Sequence, residues 1–148
     1  MTFYRLEQFS APVLFDYLRL RTDVFVVEQG CAYPELDEWD REAEHLLALD
    51  GQNLIACARI MGPHTAYPEP SLGRLAVAPA YRGQGWGLRS LKVCLERLHT
   101  LYPGQAVKIQ AQQYLEGFYA LAGFRTISPA PYPDVGVMHV DMRLAAMV

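Results

Sequence analysis

Cysteine is scarce in this chain. Its three residues, Cys31, Cys57 and Cys94, are odd in number and far apart, so neither a disulfide framework nor a CxxC metal site can be written from them. Each is expected to be a small buried side chain, and no metal is implied. An excess of positive charge is also missing. With 13 basic against 16 acidic residues the net charge is −3 at pH 7, which provides no broad cationic surface for phosphate backbones and excludes nucleic acid as the expected partner. No apolar run is long enough to cross a bilayer, and Glu7 and Asp16 interrupt the stretch where a secretory signal would sit. A cytoplasmic location without a membrane partner is the expectation. Repeats, low-complexity tracts and linkers are absent too, so the 148 residues read as one domain, 1–148, large enough for a core of its own.

What is present is a regular alternation of elements. "TFYRLEQF" (2–9) reads as a strand, and Ser10 with Pro12 reads as a helix start. Leu14, Leu18, Arg21 and Phe25 recur at helical spacing as far as Val26 or Val27. "HLLALDGQNLIACARIM" (45–61) is a hairpin signal around Asp50-Gly51; in its second arm Leu54, Ala56, Ala58 and Ile60 share one face, Cys57 and Arg59 the other. After a proline-rich loop, "SLGRLAV" (71–77) is a strand. Leu88, Leu91, Leu95 and Leu98 then form a helical stripe that Tyr102-Pro103-Gly104 ends. "AVKIQA" (106–111) is a strand, Leu115, Phe118, Tyr119 and Ala122 a helical face, and "FRTIS" (124–128) a further strand. A second proline-rich loop, "PAPYPDVG" (129–136), leads into the alternating strand "VMHVDMRL" (137–144). The order β-α-(α)-β-β-β-α-β-α-β-β places the chain in the α/β (α+β) class: a mixed, largely antiparallel central sheet with helices on both faces.

Two stretches carry unusual chemistry. "PELDEWDREAEH" (34–45) has six acids and one base; it reads either as a solvated loop or short helix, or as an acidic rim that attracts amines. "YRGQGWG" (81–87) puts three glycines at alternate positions behind an arginine. Each glycine costs roughly 0.5–1 kcal/mol in conformational entropy, so three between a strand and a helix imply a backbone that must approach something closely. A helix N-terminus offers unpaired N–H donors and a dipole that favours anions, which makes a diphosphate the fitting ligand. No Gly-Lys-Ser/Thr follows, which excludes a P-loop. No acid closes the next strand, where "VKIQAQ" ends in amides, and this weakens a dinucleotide-binding reading.

These residues resemble the GCN5-related N-acetyltransferase (GNAT) superfamily. "VAPAYRGQGWG" is similar to its acyl-CoA-binding segment, with Arg82, Gly85 and Gly87 on the pattern, and "FYALAGF" is similar to its Tyr-bearing helix, with Tyr119, Gly123 and Phe124 in place. "LRTDVFVVEQGCAYPELDEWDREAEHLLAL" and "HVDM" are similar to the ElaA-like branch; Met138 departs from the proline expected before His139. The resemblance implies an N-acetyltransferase moving an acetyl group from acetyl-CoA to an amine by direct attack. It implies that Leu75, Ala76 and Val77 line the pantetheine arm, with Gln112 also on the cofactor, and that a backbone N–H near Val77 polarises the thioester carbonyl. The amides of Arg82, Gly83, Gln84, Gly85, Trp86 and Gly87 would hold the pyrophosphate, and Tyr119 would protonate the departing thiolate.

Taking a proton from a lysine-like amine costs about 4 to 5 kcal/mol at pH 7, so a base is expected. Glu28, Glu44, His45 and His139 are candidates. Glu28 and His139 are the pair to test, with Asp141 near enough on the strand face to favour a charged His139. Arg59 and Arg74, on central strands, read as ion-paired structural residues. Two other functions fit the pattern: an acyl-homoserine-lactone synthase, which "RTDVF" and "ELDEWD" resemble, and a non-catalytic acyl-CoA-binding module. The acceptor, small molecule or protein, is not written in the pattern, and the assembly state is left open, a homodimer included.

Overall fold

The computed structural model describes residues 1–146. The first strand, β1 (Thr2–Tyr4), is shorter than the stretch expected, because Leu6–Gln8 wind into a 3-10 turn held by Arg5 N–H to the Gln8 side chain and Gln8 N–H to the Arg5 carbonyl. Helix α1 (Ala11–Thr22) begins as expected, with Ser10 Oγ accepting from the Val13 N–H at 3.4 Å and Pro12 in the first turn. It runs on into a π-helical stretch, Asp23–Glu28, a geometry often found beside functional sites. The buried stripe is Tyr17, Leu20, Arg21 and Val24; Leu14, Leu18 and Phe25 are only half-buried at its border. Large apolar residues on both sides of that stripe made its centre ambiguous in the sequence.

Strands β2 (Glu44–Asp50), β3 (Asn53–Met61) and β4 (Ser71–Val77) join β1 in the antiparallel order β1-β2-β3-β4. The β2–β3 turn is Gly51-Gln52, one residue later than expected, with Gly51 at φ 60°. The register then slips between Ala48 and Leu49. Leu54 consequently packs with the α1 cluster, while Ala58 and Ile60 pack under the other helix layer. A bulge breaks the strict alternation that the sequence suggests.

The second sheet holds β5 (Val107–Gln112), β8 (Val137–Leu144) and the two-residue β6 (Arg125–Thr126), in the order β5-β8-β6. An extra strand lies inside the proline-rich segment read as loop. This strand, β7 (Tyr132–Asp134), pairs with β8, Pro133 opposite Met138; proline is tolerated there because it lies at an edge.

Helix α2 (Trp86–Leu101) carries the chain from β4 to β5 and, with the short α3 (Glu116–Ala120), covers one face of the sheets. Its buried residues Leu91, Cys94, Leu95 and Leu98 meet Leu46, Ile60, Leu72, Ile109 and Met142. The other face is covered by α1, whose Tyr17, Leu20 and Val24 pack on Leu47, Cys57 and Ala76.

β4 and β5 belong to different ladders. They touch where both begin, through the Lys108 N–H donating to the Pro70 carbonyl at 3.0 Å. Their far ends, Leu75–Val77 and Gln112, stand on opposite walls of a cavity. The two sheets therefore form a V, and the opening of the V is the site.

Candidate active site

Strand β4 forms one wall. Gly73 faces Arg59 and Ala76 faces Cys57, so β4 spends one residue more than β3 over this stretch. Arg74, inside the bulge, has φ 50°, a left-handed conformation that costs a side-chain-bearing residue on the order of 1–3 kcal/mol. Its guanidinium is held by Glu35 at 2.7 Å and Asp37 at 3.5 Å. The strand is paired on the β3 side only, which leaves backbone groups of Leu75–Val77 free to face the opening.

The glycine segment closes one end of the V. Gly83 and Gly85 adopt φ 76° and 82°, and Gly85 caps α2 without any side chain to bond the first turn. Among the described residues no backbone acceptor receives the N–H groups of Gly83, Gln84, Gly85, Trp86, Gly87 or Leu88. These unpaired donors stand at the positive end of a sixteen-residue helix. A cavity of about 730 Å³ runs from Arg82, Gly83 and Gly87 past Val77 and Phe118 to Tyr119. Of the expected segment Gln84, Gly85 and Trp86 do not border it. Trp86 packs on Ile55 and Ala56, with Arg89 3.8 Å above its ring, and the Gln84 carbonyl accepts from Arg89.

Arg82 turns its guanidinium away from the helix start. Nε donates to the Val77 carbonyl at 3.0 Å, and the two terminal nitrogens clasp the Glu28 carboxylate at 2.5 and 2.8 Å. The Arg82 hydrogen bonds, and secondarily its charge, hold the Glu28 pKa below the usual carboxylate range. Glu28 thus lies at the channel mouth as a clamped anion. It borders the larger cavity and not the smaller one described below.

Tyr119 comes from α3 and is buried, packed edge-on against Phe118 and Phe124. Burial pushes its pKa upward, so the phenol stays protonated at neutral pH. None of the hydrogen bonds among the described residues uses its hydroxyl, and the residue borders the large cavity and a second, smaller one.

That second cavity, about 140 Å³, opens on the other side of the neck and is bordered by Arg74, Gln110, Asp134 and His139. His139 Nδ1 lies 2.7 Å from the Val137 carbonyl, which can only accept, so Nδ1 carries the hydrogen and Nε2 keeps its lone pair. The expected partnership with Asp141 is not formed. Tyr132 O–H donates to Asp141 instead, and Gln110 Nε2 bonds Tyr132 and Asp134 at 3.1 Å each.

The other base candidates fall away. Glu44 accepts from Arg97 at 2.9 Å. His45 is wholly enclosed between Tyr17 O–H at 2.6 Å and the Asp40 carbonyl at 2.9 Å, and burial lowers its pKa. The acidic stretch 34–45 does contain a short 3-10 helix, Glu38–Arg41, with Glu38 and Glu42 exposed, but it is not an acidic rim. Glu35 and Asp40 are buried, with Asp37 partly so, and they engage Arg21, Arg59 and Arg74, three charges against three. Alternating acids and distant arginines look like surface charge in one dimension; only the fold brings them into one buried cluster.

The sequence reading missed Phe25, Gln29 and Leu115, which border both cavities, and Tyr33 and Asp134, which border the smaller one. Gln29 sits next to the Glu28 that was singled out; no periodicity marks the rest. Among the described residues no group of three or more metal-ligating side chains is assembled, and no helix is long and apolar enough to cross a membrane.

Comparison with known proteins identifies the family and the fold. The model of the acetyltransferase (GNAT) domain matches residues 21–146. A UPF0039 protein of Synechocystis is 40% identical over 139 residues, 93% of this chain and 90% of that one. Protein ElaA of Escherichia coli is 32% identical over 138 residues, 92% of this chain and 90% of its own, and its crystal structure superposes with a TM-score of 0.88 over 97% of each chain. The structure of an acyl-CoA N-acyltransferase from Pseudomonas aeruginosa gives a TM-score of 0.89 at 32% identity, again over 97% of both chains. The acyl-homoserine lactone synthase BjaI, at 20% identity and a TM-score of 0.73, shares the fold alone. The chain therefore belongs to the GNAT acetyltransferases, as an ElaA-like member.

Proposed function

We propose that this chain moves an acetyl group from acetyl-CoA to an amine by direct attack within the V. The observation that carries the reading is the row of unbonded N–H groups from Gly83 to Leu88 at the start of α2, of which Gly83 and Gly87 border the long cavity. A diphosphate placed there meets donors that need no rearrangement. The amides of residues 83–87 hold it, the side chains of Gln84 and Trp86 serving the loop itself; the Arg82 N–H, also expected to take part, is already given to the Pro79 carbonyl at 3.4 Å. The pantetheine arm lies along Leu75, Ala76 and Val77, where the β4 bulge frees an N–H for the thioester oxygen. That oxygen gains negative charge as the amine adds, and one such donor is worth ~3–4 kcal/mol in comparable sites.

Tyr119, protonated and unbonded at the neck, delivers a proton to the leaving thiolate. His139 Nε2 takes the proton from the amine, directly or through water, on the acceptor side. Glu28 leaves the proton chemistry and serves the mouth of the channel through Arg82. The preference for an amine no longer draws on the acidic stretch 34–45; it rests on the family and on the placement of His139.

Calorimetric titration of the wild-type chain with acetyl-CoA and free coenzyme A tests the reading, followed by thiol release over a panel of small and peptide amines. Binding of both and turnover with a subset of amines is expected. Absence of binding removes the proposal. Binding without turnover on any amine, unaffected by Tyr119→Phe, replaces the enzyme with an acyl-CoA-binding module.

A further inference from the structure

Six residues border both cavities: Phe25, Gln29, Leu75, Gln112, Leu115 and Tyr119. They form the neck where donor and acceptor meet. Four present apolar or aromatic surface. The other two are amides that bond each other across the opening: Gln29 Nε2 donates to Gln112 Oε1 at 3.3 Å, and Gln112 Nε2 donates back to Gln29 Oε1 at 2.9 Å. Gln29 terminates the π-helical stretch and Gln112 is the last residue of β5. The pair thus ties the helix layer to the strand that has splayed away from β4, and it crosses the neck with a polar bar.

We infer that the Gln29–Gln112 amide pair is an acyl-length gate, which admits an amine to the thioester and stops a donor acyl chain much longer than acetyl. The inference rests on the acetyl-transfer reading and adds the donor class to it. An amine arriving from the acceptor side carries N–H donors and a lone pair, so it takes over the amide oxygens as it parts them. A methylene chain arriving from the donor side has neither. It would separate the two half-buried amides and cover donors and acceptors without pairing them, a penalty it cannot return. Past the neck the space is only about 140 Å³, and Arg74, Gln110, Asp134 and His139 share its border with Tyr33, Val135 and Val137, so a long alkyl chain finds too little room and cannot avoid polar groups. Both cavities are thus served by one small device that tells a nitrogen from a carbon.

The test needs no knowledge of the acceptor. The full chain is titrated calorimetrically with acetyl-CoA, butanoyl-CoA and octanoyl-CoA, as wild type, Gln29→Ala, Gln112→Ala and the double variant, with thermal melts to establish folding. Wild type is expected to bind octanoyl-CoA at least about tenfold more weakly than acetyl-CoA, about 1.4 kcal/mol. Each single variant brings that ratio to within about threefold of unity, and the double variant adds nothing, because either truncation deletes the same pair. If one single variant fails to fold, the other carries the test. Equal wild-type binding of the three donors overturns the gate, as do variants that keep the wild-type ratio or single effects that simply add. Failure of wild type to bind even acetyl-CoA removes the acyl-transfer reading itself, which is a different result.

Discussion

Replacing Gly87 by alanine separates what the glycine segment does for the fold from what it does for a ligand. Gly87 lies in the first turn of α2, and a Cβ built there sits 3.5 Å from Phe118 Cζ and 3.7 Å from Val77 Cγ2, ordinary contact distances. Its φ is not in the left-handed region, so alanine fits the backbone. In a helix interior that exchange gains up to about 0.8–1.0 kcal/mol, and in the first turn somewhat less. For a chain of this size about 1 kcal/mol moves Tm by roughly 2–4 °C, so a melt at or slightly above wild type is expected. The added methyl, however, stands between Val77 and Phe118 on the channel wall, beside the unpaired N–H groups. Loss of one charge-assisted bond to a diphosphate costs about 1.5–3 kcal/mol, which corresponds to roughly 10- to 150-fold in Kd. Gly85→Ala makes the contrast. Its site is spatially open but left-handed at φ 82°, so it loses about 1–2 kcal/mol of stability. Calorimetry with acetyl-CoA and thermal melts on both variants give the readout. A folded Gly87→Ala protein that binds acetyl-CoA within about threefold of wild type would refute the close-approach argument.

Tyr119→Phe is expected to lower the transfer rate far more than acetyl-CoA affinity and to leave Tm within a few degrees, since the hydroxyl makes no protein hydrogen bond among the described residues; equal kinetics would end its role as acid. Arg21→Met removes the centre of the buried cluster and leaves Glu35 with Arg74 alone and Asp40 with Arg59 alone, which should cost up to about 3–5 kcal/mol in denaturant unfolding, and a loss below about 1 kcal/mol would show that the cluster is not holding the segment. For Asp40, burial opposes ionisation, but the Arg21 bonds and the charges of Arg21 and Arg59 outweigh it and bring the pKa down from 3.8 to about 2. A carboxyl depressed by folding contributes stability above its unfolded pKa and loses it as pH falls through the folded one. Melts should therefore weaken between about pH 4 and pH 2, and Asp40→Asn should flatten that slope; an unchanged slope contradicts the assignment. His139→Ala is expected to cut transfer while keeping acetyl-CoA binding, and to lose the acid limb of the wild-type pH-rate profile, because a protonated imidazole accepts no proton; a profile parallel to wild type would place the base elsewhere.

Elements with one dominant local signal were legible. The α2 stripe, the Ser10 start of α1 and the whole of β8 follow from periodicity and capping. β7 was not, because proline-rich composition speaks for a loop until an edge position beside β8 makes a paired strand acceptable. The glycine segment 81–87 stood out because its signal is local in the chain. The site was illegible where it depends on pairs far apart, such as Gln29 with Gln112 or Arg82 with Glu28. The acidic stretch is the sharpest case, since its charge count pointed outward while its arginine partners at 21, 59 and 74 draw it in.

Read alone, then, the sequence determined the order of helices and strands apart from β7, the helix-mouth glycines and the family, because hydrophobic period, capping and glycine spacing act over a few residues. Tertiary structure alone decided which side of the sheet each bulged strand presents, which acids are buried, and how far β4 and β5 part. Those outcomes depend on register and on burial of charges contributed by distant segments, and a one-residue shift reverses the face of every side chain that follows.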